Sequence, residues 1–89
     1  MTVWTFWWDD VNVEHIAEHG VEPYEAEEVI DNRQLLLRAR EEKYIAYGQT
    51  DAGRYLMVVY ALKSEQRVRV VTARDMTQAE KSRLRQKRK

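Results

Sequence analysis

A chain of 89 residues without cysteine has room for one small domain, so we expect a single domain over residues 1–89 and exclude a two-domain enzyme, disulfides and thiolate chemistry. Residues 1–32 contain nine acidic and no basic residues, whereas residues 33–89 contain fifteen basic and six acidic ones. The two parts therefore carry about −9 and +9, which predicts a dipolar molecule. The basic part either attracts a polyanion such as RNA or is a solvated face attracted to the acidic part.

The acidic part predicts one strand and two helices. Residues 3–8 are dense in aromatic residues and predict a strand near a sheet edge whose tryptophans pack in the core. An exposed tryptophan that stacks on a nucleic-acid base is the alternative. Asp9 or Asp10 caps a short first helix, which Gly20 ends in the C′ position. Pro23 fits the first turn of a second helix. The buried stripe of that second helix is Ala26, Val29 and Ile30.

The basic part predicts four strands and a last helix. Residues 34–40 indicate a strand, with a continuation of the second helix as the alternative. Residues 43–75 predict an antiparallel meander, with strands at 43–49, 54–63 and 67–74. The order β-α-α-β-β-β-β-α is typical of an α+β fold with a mainly antiparallel sheet.

The last predicted strand has a core face and a cationic face. Because side chains alternate along a strand, Arg67 and Arg69 point to the cationic face. Arg74 lies at the strand end on the core side, which carries Val68, Val70 and Thr72. We expect the two acidic helices to pack on the face opposite Arg67 and Arg69.

The last helix begins at a capping box formed by Thr77 and Glu80. Leu84 is its one large apolar residue, so the helix is expected to bury little and to need a partner or fray. Its cations have three interpretations, namely contact with RNA, contact with a protein partner, or a solvated tail. These cations are Lys81, Arg83, Arg85, Lys87, Arg88 and Lys89.

Three short segments occur in an order and spacing found in one bacterial family. They are Trp8-Asp9-Asp10 at the start of a helix, His19-Gly20-Val21 with Ala26 and Val29 beyond it, and residues 70–74 followed by Thr77 and Glu80. In this ordered set, across about residues 6–85, the chain resembles the BrnT family of toxins. It resembles a divergent branch, because Glu18 and His15 stand where the family usually carries Lys and Asn.

The resemblance implies a RelE-like ribonuclease fold and the toxin of a type II toxin–antitoxin system. It also implies a metal-independent endoribonuclease that cleaves mRNA and inhibits translation without a cofactor. The implied partner is a BrnA-like antitoxin with a ribbon-helix-helix DNA-binding domain, and the assembly is either a homodimer or a toxin–antitoxin hetero-oligomer. We expect a cytoplasmic protein without membrane contact, since no apolar run is long enough to span a bilayer and no signal-peptide pattern is present.

Metal-independent RNA cleavage needs a base for the 2′-hydroxyl, a cation for the phosphorane charge and an acid for the leaving oxygen. Arg74 is the first candidate for the cation, because it matches the family segment; an ion pair with Asp75 or Glu80 is the structural alternative. The other predicted catalytic residues are Arg69, His19 and Tyr60, and the remaining acid and base candidates are His15, Tyr44, Tyr47 and Glu80. Three of these candidates have a structural alternative to a catalytic role: His19 lies at a helix end, Tyr60 packs in the core and Glu80 caps a helix.

RNA binding is predicted for basic residues of the meander and the last helix, with an ordinary solvated face as the alternative. These residues are Lys43, Arg54, Arg67, Arg69, Lys81 and Arg85. His15 and His19 stand four apart on one helical face, but two ligands do not make a site, so we expect no metal.

Two other functions compete with an endoribonuclease. The first is a non-catalytic module that binds RNA or a protein on the same basic sheet face. The second is a structural protein whose acidic helices contact the basic face of another copy. Growth arrest with mRNA fragmentation on induced expression would favour the enzyme, and RNA retention without cleavage would favour the binding module.

Overall fold

The computed structural model describes residues 5–87, without the side chains of Glu65 and Lys87. The elements are β1 Thr5–Trp7, α1 Asp10–Ala17, α2 Pro23–Asp31, β2 Leu35–Arg38, β3 Lys43–Gln49, β4 Tyr55–Lys63, β5 Arg67–Asp75 and α3 Gln78–Lys87. This order confirms the predicted α+β class. Residues 3 and 4 of the predicted first strand, and residues 88 and 89 of the predicted tail, lie outside the described residues. Within residues 5–87, no helix is long and apolar enough to cross a membrane.

The five strands form one sheet in the order β1-β5-β4-β3-β2. All neighbours are antiparallel except β1 and β5, which run parallel. β1 pairs only with the first three residues of β5, and α1 takes over beyond that point. Asn12 of α1 is buried and donates from Nδ2 to the backbone oxygens of Trp7, at 2.9 Å, and Val70, at 3.2 Å. One side chain thus fixes the first helix against the edge of the sheet.

The ends of α1 follow from local hydrogen bonding. Asp9 Oδ1 accepts from the Asn12 backbone N–H at 3.1 Å, and Asn12 Oδ1 accepts from the Asp9 N–H at 2.8 Å, so Asp9 rather than Asp10 is the cap. Gly20 has φ +71°, which favours glycine. Its N–H bonds to Ala17, and the next N–H bonds to Ile16, the two bonds of a Schellman motif.

The main core lies between the sheet and the two acidic helices. Its helix-side residues are Ile16, Val21, Ala26, Val29 and Ile30. Its sheet-side residues are Ala46, Leu56, Val58, Tyr60, Val68, Val70 and Ala73. Since Val68 and Val70 face these helices, Arg67 and Arg69 lie on the opposite face, as predicted.

That opposite face also carries an apolar cluster, so the prediction of a purely cationic face was wrong. Its buried residues are Tyr47, Met57, Met76 and Leu84, and Leu35, Leu37, Ile45, Tyr55 and Val59 pack against them. Leu84 is 2% exposed, which also corrects the expectation that α3 buries little. The physical reason is that β2, β3 and β4 carry apolar side chains on both faces, so the second face needs a cover.

An irregularity in the pairing of β4 and β5 changes the face of Arg74. Tyr60 pairs with Val70 whereas Val59 pairs with Thr72, so β5 has an extra residue at Val71. Strict alternation predicted that Thr72 and Arg74 lie on the core face, and this prediction was wrong. Ala73 takes the core position, because the extra residue shifts the alternation by one. Arg67, Arg69 and Arg74 therefore share one side of the sheet, called the arginine face below.

The predicted packing of the N-terminal tryptophans holds for one of the two that the structure describes. Trp8 packs against the main core, and its Nε1 donates to Glu27 Oε2 of α2 at 2.7 Å. Trp7 is 40% exposed, because β1 alternates and Phe6 takes the inward position. The core prediction for Trp7 was therefore wrong.

Candidate functional site

Arg74 lies at the end of β5 in a bidentate ion pair with Glu80 of α3. Its Nη1 and Nη2 donate to the two carboxylate oxygens, each at 2.9 Å, and Nη1 also donates to the Asp75 backbone oxygen at 3.0 Å. The Arg74 side chain is still 36% exposed. A planar guanidinium held in this way keeps an accessible edge that an anionic ligand can approach.

Glu80 holds Arg74 and begins α3 at the same time. Its Oε1 accepts from the Thr77 N–H at 2.9 Å, while the Glu80 N–H donates to Thr77 Oγ1 at 3.1 Å, which confirms the predicted capping box. The hydrogen bonds from Arg74 hold the pKa of Glu80 below its usual range against the opposing effect of burial. Glu80 is therefore ionised at neutral pH, and its lowered pKa makes it a weaker proton acceptor than an unpaired glutamate.

Tyr47 lies in the same row of the sheet as Arg74. Tyr47 of β3 pairs with Met57 of β4, which pairs with Arg74 of β5. Burial, reinforced by the nearby Glu80 carboxylate, raises the pKa of the Tyr47 phenol. The phenol stays protonated at neutral pH. The row therefore contains a cation and a protonated phenol, and Glu80 of α3 adds a carboxylate paired with Arg74.

Three predicted catalytic residues lie away from Arg74. Arg69 lies beside Trp7. Tyr60 is buried in the main core on the other side of the sheet, stacked on Tyr44 with ring centroids 5.6 Å apart. Burial raises its pKa as well. His19 is exposed beyond the end of α1, with its ring edge-to-face to His15 at 5.9 Å. The structure does not bring any of the three together with Arg74.

The two histidines are also the strongest candidate for a metal site. They lie on one face of α1, but a protein site for a transition metal generally needs three or more ligands. Among the side chains that the structure describes, no group of three His, Asp or Glu residues is arranged to hold a metal ion.

Arg67 and Arg69 form a second basic group, around Trp7. Their guanidinium carbons lie 5.1 Å and 5.2 Å from the centroid of the indole, within the range of a cation–π contact. Arg69 also donates to Asp9 Oδ2, and this bond is the main reason that the pKa of Asp9 falls below its usual range. Arg67 is exposed, whereas 25% of the Arg69 side chain is exposed.

Arg54, which we predicted to bind RNA, lies in a network that connects four parts of the chain. Its Nε and Nη2 donate to the two oxygens of Asp75, at 2.9 Å and 3.2 Å. Its Nη1 donates to Glu25 Oε1 at 3.1 Å and to the Gly20 backbone oxygen at 2.8 Å. Most of its donors are therefore engaged inside the protein, and the bond from Arg54 lowers the pKa of Asp75.

The other predicted RNA-binding residues are partly engaged. Lys43 pairs with Glu41 at 3.2 Å, and the Lys81 ammonium lies 5.7 Å from the centroid of the Tyr55 ring. Arg85 is exposed on α3. Lys81 and Arg85 line a cavity of about 150 Å³ beside Tyr55.

Tyr47 was absent from the predicted catalytic set, although it was an acid–base candidate. The hairpin turn at Thr50–Gly53 pairs Gln49 with Tyr55, and counting back along this register puts Tyr47 opposite Met57. Sequence can supply that signal. The remaining step, which puts Met57 opposite Arg74, depends on the irregularity at Val71.

Comparisons with known proteins bear on the fold and the family of this chain. A family model described as the ribonuclease toxin BrnT of type II toxin–antitoxin systems matches residues 7–80. The crystal structure of the Brucella abortus ribonuclease toxin BrnT superposes with a TM-score of 0.71 and 17% sequence identity, covering 85% of this chain and 100% of that one. No curated protein matches the sequence significantly. The chain therefore belongs to the BrnT family of ribonuclease toxins of type II toxin–antitoxin systems.

Proposed function

We propose that this toxin is a metal-independent endoribonuclease that acts on mRNA in the cytoplasm. The observation that supports this most is that Tyr47 and Arg74 lie in one row of the sheet and that Glu80 of α3 pairs with Arg74, whose guanidinium is partly exposed. The same sheet face carries Arg67 and Arg69. A face with this charge attracts the phosphates of an RNA chain.

The three side chains supply the three roles that cleavage needs. Glu80 takes the proton of the 2′-hydroxyl, and the 2′-oxygen forms a bond to the adjacent phosphorus. Arg74 stabilises the charge that develops on the phosphoryl oxygens. Tyr47 gives its proton to the 5′-oxygen as the bond from phosphorus to that oxygen breaks. The products are a 2′,3′-cyclic phosphate and a 5′-hydroxyl, and a proton transfer from Glu80 to Tyr47 restores both groups.

The proposed partner is a cognate BrnA-like antitoxin with a ribbon-helix-helix domain. Family membership implies an antitoxin, and the basic residues of α3 and the arginine face provide a surface that an acidic segment could cover. Such a complex would block the site that contains Arg74. The mass of the purified complex decides whether the assembly contains one toxin or two.

One observation favours a second function, a non-catalytic RNA-binding module. Both oxygens of Glu80 are already engaged by Arg74, and one of them also accepts the capping bond of α3. A pair with this geometry could be purely structural. The arginine face would then bind RNA without cutting it.

The Arg74→Ala variant tests the proposed chemistry. Loss of a preorganised transition-state donor should reduce the single-turnover rate of RNA cleavage roughly 100-fold or more. Binding of uncleaved RNA should fall far less, because an interaction made mainly in the transition state contributes little to ground-state binding.

Arg67→Ala is the matched control on the same strand. It should weaken RNA binding and flatten the salt dependence, with little change in the rate at saturating RNA. A fall of more than about 2 kcal/mol in the free energy of unfolding of Arg74→Ala would assign a structural role instead. Intact mRNA after induced expression of the wild type, together with retained RNA, would favour the binding module.

A further inference from the structure

Trp7 is a large aromatic residue that the fold leaves accessible. It lies on β1 at one edge of the sheet, on the arginine face, and 40% of it is exposed. Two guanidinium groups approach its ring, from Arg67 and Arg69, at 5.1 Å and 5.2 Å from the centroid. An exposed indole beside cations combines a stacking surface with phosphate-binding groups.

The two arginines differ in what they can offer a ligand. Arg69 is paired with Asp9, the N-cap of α1, so part of its charge is neutralised. It holds the indole in place. Arg67 is exposed and lies opposite Lys63 in the β4–β5 register, and Lys63 is exposed as well. Arg67 and Lys63 are therefore the cations that a phosphate can reach.

We propose that Trp7 and Arg67 form a subsite for one unpaired nucleotide of an RNA strand, whose base stacks on the indole and whose phosphate binds Arg67. The inference rests on the proposed function, because both require RNA to lie along the arginine face. Arg69 is a positioning residue in this subsite.

The subsite is separate from the proposed site of cleavage. Arg69 and Arg74 pair with Ala61 and Met57, which are four residues apart on β4, and this corresponds to about 13 Å of extended strand. An RNA strand whose scissile phosphate lies at Arg74 therefore reaches Trp7 only if it follows β5 over that distance. The subsite would act on affinity and on the placement of the strand, not on the chemical step.

The chemistry of the subsite favours a single strand over a duplex. In a duplex both faces of each base are stacked on neighbours, whereas an unpaired base has a free face for an aromatic side chain. A stack of this kind tolerates any base, since every base has a π-face. The proposed ligand class is thus single-stranded RNA without a strong sequence preference at this position.

The first test compares Trp7→Leu with Trp7→Phe. The probe is a fluorescently labelled 2′-O-methyl oligoribonucleotide, which has no free 2′-hydroxyl and is not cleaved. Trp7→Leu keeps an apolar side chain but loses the ring, so binding should weaken roughly 5-fold to 150-fold. Trp7→Phe keeps a ring and should lose much less. A duplex of the same sequence should bind both variants as it binds the wild type.

Arg67→Gln is a second variant. It removes the exposed guanidinium together with its contact to the Trp7 ring, while Arg69 still contacts that ring. Binding of the same single strand should weaken, and the slope of log affinity against log salt should fall by about 0.7 for one lost phosphate contact. With cleavable RNA, Trp7→Leu should raise KM and leave kcat nearly unchanged.

Three results would overturn the subsite: wild-type affinity of folded Trp7→Leu for the single strand, an equal loss for single strand and duplex, or a salt slope unchanged in Arg67→Gln. The two proposals fail separately. If cleavage needs Arg74 but Trp7→Leu has the wild-type KM, the subsite alone is removed. If the wild type does not cleave RNA but binds a single strand through Trp7, the nuclease proposal fails and the subsite stands.

Discussion

In the proposed mechanism, Glu80 serves both folding and chemistry. Its carboxylate caps α3 through Thr77 and orients Arg74 through two bonds of 2.9 Å. The pairing that orients Arg74 also keeps the carboxylate ionised. Removal of Glu80 would therefore affect the helix start and the site together, so it is a poor residue for separating the two roles.

Tyr47 is a better residue for that separation. We expect Tyr47→Phe to reduce the single-turnover rate of RNA cleavage by roughly 100-fold, because the variant loses the proton for the leaving oxygen. The free energy of unfolding should change little, since the ring that packs against Met57 and Leu84 stays in place. Quenched-flow cleavage and urea unfolding measure the two effects.

Tyr60→Phe is the matched control. Tyr60 is also a buried tyrosine with a raised pKa, but it lies on the opposite face of the sheet. Removal of the Tyr60 hydroxyl should leave the single-turnover rate of RNA cleavage unchanged. Equal rates for wild type and Tyr47→Phe would show that another group protonates the leaving oxygen.

At the scale of elements, α3 depends on a single apolar anchor. It carries cations along most of its length, and Leu84 inserts into the cluster of Tyr47, Met57 and Met76. This arrangement fixes the helix beside Arg74 while leaving its other sides polar. The helix is therefore part of the site and is stabilised by the site's own sheet face.

Leu84→Ala should lower the free energy of unfolding by about 3 kcal/mol, the typical cost of a buried leucine lost to a cavity. In a domain of this size that loss lowers the melting temperature by more than about 10 °C. Calorimetry measures both quantities. Cleavage should fall as well, because Glu80 is held by the same helix.

Arg85→Ala, on the exposed side of α3, is the control. Its free energy of unfolding should stay within about 0.5 kcal/mol of the wild-type value. Deletion of residues 87–89 should also move the melting temperature little, since that segment has no apolar residue to pack. A stable Leu84→Ala variant with wild-type melting would mean that α3 is held by its cap and cations alone.

At the scale of the molecule, the acidic and basic parts meet in an ion-pair network. The acidic helices cover one face of the sheet, and the basic residues of β5 and α3 occupy the other side. Arg54 belongs to the basic part of the sequence, yet it reaches Glu25 of α2 and the loop at Gly20. It therefore connects the two layers at the end of the sheet where β4 begins.

Arg54→Met should lower the free energy of unfolding by about 2 kcal/mol, because Glu25 is only 14% exposed and would lose its charged partner. The contribution of Asp75 is small by comparison, since that side chain is 63% exposed. Adding Glu25→Gln should recover part of the loss by removing the unpaired charge. Urea unfolding of the single and double variants measures this.

The effect of Arg54 should also depend on pH. The bond from Arg54 lowers the folded-state pKa of Asp75, so its stabilisation is present above the unfolded-state pKa of about 4. That stabilisation disappears as the pH falls through the lower folded-state value. The stability difference between wild type and Arg54→Met should thus be constant near neutrality and shrink in acid. A difference that grows in acid would contradict the assignment.

The sequence by itself determined the elements and their order. Local signals are sufficient for this, because a capping box such as Thr77 with Glu80, or a left-handed glycine such as Gly20, acts within one or two turns. The buried stripe of α2 follows from helical periodicity alone. Charge segregation combined with strand alternation also predicted that the acidic helices would lie opposite Arg67 and Arg69.

The tertiary structure alone decided which residues share a site. One extra residue at Val71 turns Arg74 onto the face of Arg67 and Arg69. No local pattern in the sequence of β5 predicts this extra residue. The same shift decides that Arg74 lies on the face of Tyr47 and not on the face of Tyr60. Site geometry depends on strand register and on packing between distant segments, and both are set by the whole chain. A sequence pattern reflects only the conformational preferences of residues that are close together in the chain.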